Sequence, residues 1–371
     1  MNKTFPPIYS LDKSKRTRIW QIEVADDSFR TIEGLIDGKQ TVSKFTKCLP
    51  KNKGKANYRN GFEQAIAEAE SKWQKKLEQN GSLDQHNIVQ KFFEPMLAKK
   101  YQDEKHKIVY PVIVQPKLDG GRCIIYLKDG KPYAQTRKGE EIVSIPHILD
   151  ELKDVLEEGM VLDGELYNHS LKNEFEKIMS IIRKQKVTKK QLEESKNLIE
   201  YHVYDIAGKH SVWPMVLREG LVHDLLNDSN KFNKVKIVPS VYVDNEAELF
   251  EQENKFISMG YEGLMIRFLN SSYVHGRTES LLKMKRFDDA EFLLVDLEEG
   301  VGNRSGLATR AIMALPDGKT FGVGVNGEDG YSRDLLTNKE KYKNKYWTVK
   351  YFGVTSDNIP RFGKLLRIRD F

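Results

Sequence analysis

A chain of 371 residues, 39% hydrophobic and 31% charged, has a globular composition and enough length for two or three cores. No run nears the roughly 18 consecutive apolar residues of a membrane helix, and Met1-Asn2-Lys3-Thr4-Phe5-Pro6-Pro7 lacks the apolar centre of a signal peptide, so a soluble cytoplasmic or nuclear protein with no membrane partner is expected. The net charge of +6 is concentrated in the first ninety residues, where 16 Lys and Arg face 11 Asp and Glu, which suits a phosphate-rich partner as well as an ordinary lysine-rich surface.

Arg18-Ile19-Trp20-Gln21-Ile22-Glu23-Val24 alternates like a half-buried strand, and residues 29–36 with the Asp37-Gly38 turn read as its hairpin partner. A basic loop follows, carrying Lys51, Lys53, Gly54 and Lys55. Phe62, Ile66, Ala69 and Trp73 then recur at helical spacing, and Gly81-Ser82 is expected to end that helix. Cys48 and Cys123 are too few for a disulfide framework or a zinc site and read as packing or surface residues.

From residue 91 to 287 short apolar runs mix with helical patterns. Strands are predicted at 112–117, 123–128, 160–167, 201–206 and 263–268, giving an α+β core of mainly antiparallel sheet. The lysine-rich stretch 183–197 reads as a solvated helix face or loop. Residues 288–371 hold evenly spaced strand patterns at 292–297, 311–315, 320–325 and 346–351, the signature of a small β-barrel such as an OB-fold. The expected division is 1–90, 91–287 and 288–371.

The chemistry centres on Lys117-Leu118-Asp119-Gly120-Gly121-Arg122, which follows the apolar run Val112-Ile113-Val114, so that a strand end delivers a lysine into a tight turn. A lysine amine ordinarily titrates at about 10.4 and attacks phosphorus only once neighbouring cations favour its neutral form. Lys283 and Lys285 sit two apart, where a strand would aim both at one face. Between them and Lys117 come Thr136-Arg137-Lys138-Gly139, Leu162-Asp163-Gly164-Glu165-Leu166, Tyr201-His202-Val203-Tyr204-Asp205 and Tyr261-Glu262-Gly263-Leu264-Met265-Ile266-Arg267.

Lys117 to Arg122 matches K-x-D-G-x-R, and with the later elements in the same order the chain resembles the ATP-dependent DNA ligases of the covalent nucleotidyltransferase superfamily. The resemblance implies that Lys117 carries AMP and that Gln115 reads adenine, its amide accepting from the adenine amino group and donating as well. It further implies that Tyr204 stacks on the purine, and that Arg122 and Arg137 touch the ribose or the nick 5′-phosphate. Glu262 and Glu165 would hold Mg²⁺, with Mn²⁺ as a substitute, Glu165 having the ribose as a second role. Lys283 and Lys285 would neutralise the α-phosphate. Nicked duplex DNA and ATP are the implied partners of a monomer, in replication, repair or recombination.

The basic glycine loop and the following helix are similar to a WGR domain, which implies DNA contacts for Lys53 and Lys55, although Glu33-Gly34-Leu35 stands where the Trp-Gly-Arg triplet belongs. Gly302-Asn303-Arg304 and Lys350-Tyr351-Phe352 resemble the OB domain of small ligases. Arg367 and Arg369 fall at the final pyrophosphate-orienting motif, without its usual lysine. A GTP-dependent capping enzyme, an RNA ligase and a catalytically silent nucleic-acid-binding protein stay open as alternatives, whereas the sequence holds no G-x-x-x-x-G-K-[ST], H-E-x-x-H or G-x-G-x-x-G. The compact size resembles viral or accessory ligases, and the sequence leaves a viral or cellular source open.

Overall fold

The computed structural model describes residues 2–12, 14–79, 81–89, 91–228, 230–355 and 357–368. Two compact units emerge: residues 92–286 form one, and residues 1–91 with 287–371 form the other.

In the second of these units, the strand Thr17–Ala25 pairs antiparallel with Ser28–Leu35 at the centre of a six-stranded sheet. The helix Gly61–Glu78 lays Ala65 and Ala69 against Ile22, Val24 and Phe29, with Phe62, Ile66 and Trp73 at the margin. Asn60 caps it by accepting from the Glu63 amide, while the Glu63 carboxylate accepts from the Asn60 amide, so two orphan donors of the first turn are satisfied reciprocally. The helix ends at Glu78, before the glycine expected to stop it. Both cysteines of the chain are free and buried.

Residues 288–368 close a five-stranded barrel whose circuit runs Asp288–Glu299, Ala308–Ala314, Thr320–Val325, Lys364–Ile368, Tyr346–Tyr351. Trp347, Phe321, Met313 and Leu294 fill it. Within this unit the Lys44 amide, just after the strand Gln40–Val42, donates to Asn303 Oδ1 at 2.7 Å in the turn beside the barrel.

The unit of residues 92–286 packs two five-stranded sheets. One runs Lys131–Thr136, Gly121–Lys128, Met160–Tyr167, Glu200–Gly208, Val235–Ile237; the other runs Val241–Val243, Val112–Pro116, Gly263–Phe268, Gly276–Lys285, Met96–Lys100. Pairing is antiparallel apart from one parallel pair at an edge of each sheet, close to the predicted pattern. Ile124, Val161 and Ala207 of the first sheet meet Met96 and Leu281 of the second in a core between them. Helices, among them Phe175–Ile182 and Glu246–Ser258, cover the outer faces. The lysine-rich stretch forms the mostly exposed helix Lys189–Leu198. Among the described residues no helix is long and apolar enough to cross a membrane.

Candidate active site

Sheet register assembles the site. In the second sheet Met265 pairs with Gln115 on one side and Lys283 on the other, so Gln115 and Lys283 share a row and a face. Two residues on, the Lys117 amide donates to the Gly263 carbonyl at 2.9 Å and Gly263 pairs with Lys285, which makes a second row of Lys117 and Lys285. A Cβ at Gly263, where φ is +149°, would lie 2.2 Å from the Met284 carbonyl oxygen, so only glycine lets the strands meet here. In the first sheet Arg122 pairs with Glu165 across the strands. Gly120 brings the lysine turn against that sheet, since a Cβ there would lie 2.2 Å from the Leu166 carbonyl oxygen.

Between the rows lies a cleft of about 210 Å³ lined by, among others, Gln115, Lys117, Arg122, Arg137, Glu165 and Tyr204, with Lys283 on the second sheet's wall. Six of the residues singled out, from four separate segments of the sequence, therefore converge, and Lys283 joins them.

The polar groups of the cleft are unequally engaged. Glu262 is buried and takes Lys117 on one carboxylate oxygen and Lys285 on the other, the latter at 3.0 Å. Burial opposes its charge, but the two ammonium groups hold its carboxyl below the usual value. Lys117 thus has an anion as direct partner, with cations one row and one carboxylate away. Burial lowers the pKa of Lys283, and the charges of Lys117, Lys285 and Arg277 lower it further.

Arg122 grips Asp163 through two bonds of 2.9 and 2.5 Å, and Tyr273 donates to the same carboxylate at 2.6 Å. Glu165 is pushed up to about 7 by burial, against which Lys117 and Arg122 work, and among the described residues its carboxylate receives no hydrogen bond. No group of three or more His, Cys, Asp or Glu among the described residues could itself cage a metal.

Gln115 is buried, and its amide is fully occupied on the donor side: Nε2 donates to Ser240 Oγ at 3.1 Å and to the Tyr204 carbonyl at 3.3 Å, while Oε1 accepts from Arg267 Nε at 2.7 Å. The donating role expected of it toward a base is therefore corrected: both amide hydrogens are already spent. Arg267 continues to Asp205 at 2.7 Å, and Arg218 reaches the other oxygen of Asp205 at 2.8 Å. Arg267 also lies over the Tyr204 ring, 5.2 Å from its centroid.

Arg267, Arg277 and Ser240 were missed in the sequence. Arg267 ends the Glu262 motif, and its alternation with Met265 is the signal that marks it. Arg277 lines the cleft from a strand whose start, Gly276-Arg277-Thr278-Glu279-Ser280, has no apolar alternation. Lys53 and Lys55 lie on an exposed loop in the other unit. Arg369 and the side chain of Arg367 lie outside the described residues.

The family model for the ATP dependent DNA ligase domain matches residues 95–285, more than half of the chain. The chain belongs to the ATP-dependent DNA ligase family. A DNA ligase of African swine fever virus is 26% identical to this ligase in an alignment 356 residues long that covers 86% of this chain and 81% of the viral one. The solved structure "Pmar-Lig_PreS3" superposes with a TM-score of 0.66 at 21% identity, over 83% of this chain and 72% of that one. A structure titled "DNA binding with a minimal scaffold: Structure-function analysis of Lig E DNA ligases" superposes with a TM-score of 0.62 at 23% identity, over 75% of this chain and all of that one. These two carry the fold. The ligase is thus an α+β enzyme of the class that the ordered motifs imply, and the capping, RNA-joining and silent alternatives fall away.

Proposed function

We propose that this ligase seals nicks in duplex DNA by passing AMP through Lys117. The observation that carries the reading is the convergence of Lys117, Arg122, Glu165, Tyr204 and Lys283 on one cleft from five separate strands or strand ends. Lys117 Nζ attacks the α-phosphorus of ATP, a P–N bond forms, the bond to the β-phosphate oxygen breaks, and pyrophosphate leaves. An oxygen of the nick 5′-phosphate then attacks the same phosphorus, freeing the lysine and forming DNA-adenylate. The 3′-hydroxyl finally attacks the 5′-phosphate, closing the phosphodiester and expelling AMP.

Each side chain has a physical task. The Tyr204 ring is a stacking surface for the purine, stiffened by Arg267 over one face. Glu262 holds Lys117 in place and must yield it for attack, which the negative charge of ATP promotes by drawing both lysines toward phosphate. Lys283, whose charge is disfavoured where it stands, gains most from an arriving α-phosphate. Arg137 offers a planar donor fork to the ribose or the nick phosphate, whereas Arg122, with Nε and Nη2 held by Asp163, offers only its remaining N–H groups.

The donor set suits a hard cation: a lone carboxylate at Glu165, raised by burial and without a hydrogen bond among the described residues, gains from a divalent ion that keeps its waters and shares the phosphates. Glu165 would hold it, with Glu262 joining once its lysines leave; Mg²⁺ fits, and Mn²⁺ as a substitute. Bound there, the ion shields phosphate charge and eases departure of pyrophosphate.

We infer further that the barrel is an OB-fold and that the first ninety residues are a WGR-like module binding duplex DNA through Lys53 and Lys55, in a monomeric enzyme divided at 1–90, 91–287 and 288–371. Supporting this, the loop is fully exposed, and Asn52 and Gly54 take positive φ, so the chain turns sharply and projects both lysines. Sealing of a labelled nicked duplex tests the function: ligated product with ATP and Mg²⁺ supports it, and its absence with intact protein refutes it. Reversing Lys53 and Lys55 to Glu should weaken nick binding and flatten its salt dependence while leaving ATP loading intact.

A further inference from the structure

Three neighbours fix the amide of Gln115, and chemistry dictates its orientation. A guanidinium only donates and a backbone carbonyl only accepts, so Oε1 must face Arg267 and Nε2 must face the Tyr204 carbonyl. Ser240 Oγ takes the other amide hydrogen. One lone pair on Oε1 is then the sole hydrogen-bonding capacity left to this wall of the cleft from Gln115. A free glutamine amide is ambivalent, able to turn over and offer either edge. Here a turned amide would aim its NH₂ at the Arg267 guanidinium and its oxygen at a carbonyl, leaving buried groups unpaired on both sides. Arg267 cannot follow, because the buried Asp205 holds it at 2.7 Å.

We propose that Ser240 and Arg267 set the base preference of this ligase by reducing Gln115 to a pure acceptor, so that the cleft takes a purine bearing an amino group at position 6 and rejects one bearing a carbonyl there. The proposal rests on the nucleotide-binding reading of Gln115 and Tyr204 given above. A 6-amino group donates to the remaining lone pair. A 6-oxo group sets two acceptors face to face in a desolvated cleft, with no donor from Gln115 to relieve them. Ser240 lies between the strands Val235–Ile237 and Val241–Val243, outside every motif of the sequence, and acts as a positioning residue.

The test measures covalent labelling of the full chain by ATP, by inosine triphosphate and by purine riboside triphosphate, which has no substituent at position 6. The acceptor reading predicts the order ATP, then the unsubstituted purine, then inosine, with ATP over inosine by ~10²-fold or more in kcat/KM. Ser240→Ala frees one amide hydrogen and should narrow that ratio ~10-fold through faster inosine labelling, a shift of the size one hydrogen bond supports. Ser240→Thr keeps the hydroxyl and should restore the ratio. Inosine labelling equal to or faster than the unsubstituted purine would overturn the proposal without needing any variant, as would a folded Ser240→Ala protein with an unchanged ratio. A protein labelled by none of the three overturns the nucleotidyl-transfer reading itself, and the base preference with it.

Discussion

Lys117 and Glu262, 145 residues apart in the chain, are joined twice: the Glu262 amide donates to the Lys117 carbonyl at 3.1 Å, and the Lys117 ammonium donates to the Glu262 carboxylate. The backbone bond fixes where the lysine leaves its strand, and the side-chain bond fixes where its nitrogen stands. Lys285 on the second oxygen completes a cation–anion–cation row around the buried Glu262 carboxylate. Glu262→Gln keeps the shape but removes the charge that gathers both lysines. The expected result is a ~10²-fold slower formation of lysyl-AMP, the scale of loss for a misplaced reacting group, read by labelled ATP on protein whose circular dichroism is unchanged.

Glu165 supplies a pH dependence with a definite sign. Its carboxyl titrates at about 7 in the fold against an ordinary 4.5, so the folded state holds more protons in that window. Stability from this group is fully present below 4.5 and is lost as pH rises through 7. Glu165→Gln should remove up to about 3 kcal/mol of that decline, seen in urea midpoints measured at several pH values without metal. The same variant should lose the metal response of adenylation, since its amide cannot replace the carboxylate.

Asp205 balances two arginines, Arg218 with no exposed surface and Arg267 with almost none. Asp205→Ala strands both charges in the interior, for which a loss of about 3–5 kcal/mol is expected. Chemical denaturation would show it as a lowered midpoint with an unchanged slope.

Gly120 has a steric reason to be glycine. A methyl group there would meet the Leu166 carbonyl oxygen at 2.2 Å, and backbone cannot step aside as a flexible side chain would. Gly120→Ala should shift the turn that presents Lys117, and labelling by ATP should fall at least ~10-fold while the thermal transition remains cooperative.

Much of this site is legible in residue types and their order. The motif around Lys117, the Glu165 and Glu262 dipeptide settings and the Lys283/Lys285 alternation each name a side chain, and the strands that carry most of them run close to their predicted bounds, because alternation of apolar and polar residues is a local signal. The Asn60/Glu63 capping box and the Phe62, Ile66, Ala69, Trp73 stripe likewise locate a helix from within itself. What stays hidden depends on register between distant strands. That Gln115 spends both amide hydrogens, one of them on Ser240, and that Glu262 is claimed by Lys117 follow from pairings over 89 to 145 residues, which no local pattern encodes. The strands Lys131–Thr136 and Lys364–Ile368 escaped for the opposite reason: short, edge-placed or rich in charge, they gain their conformation from neighbours already in place.

The central claim is the P–N bond at one nitrogen. Incubating the protein with α-labelled ATP and Mg²⁺, then denaturing it and mapping the label by peptide mass spectrometry, should find AMP on Lys117, released by acid and absent from Lys117→Ala. A label on any other residue, or labelling that persists undiminished in Lys117→Ala, would contradict the account.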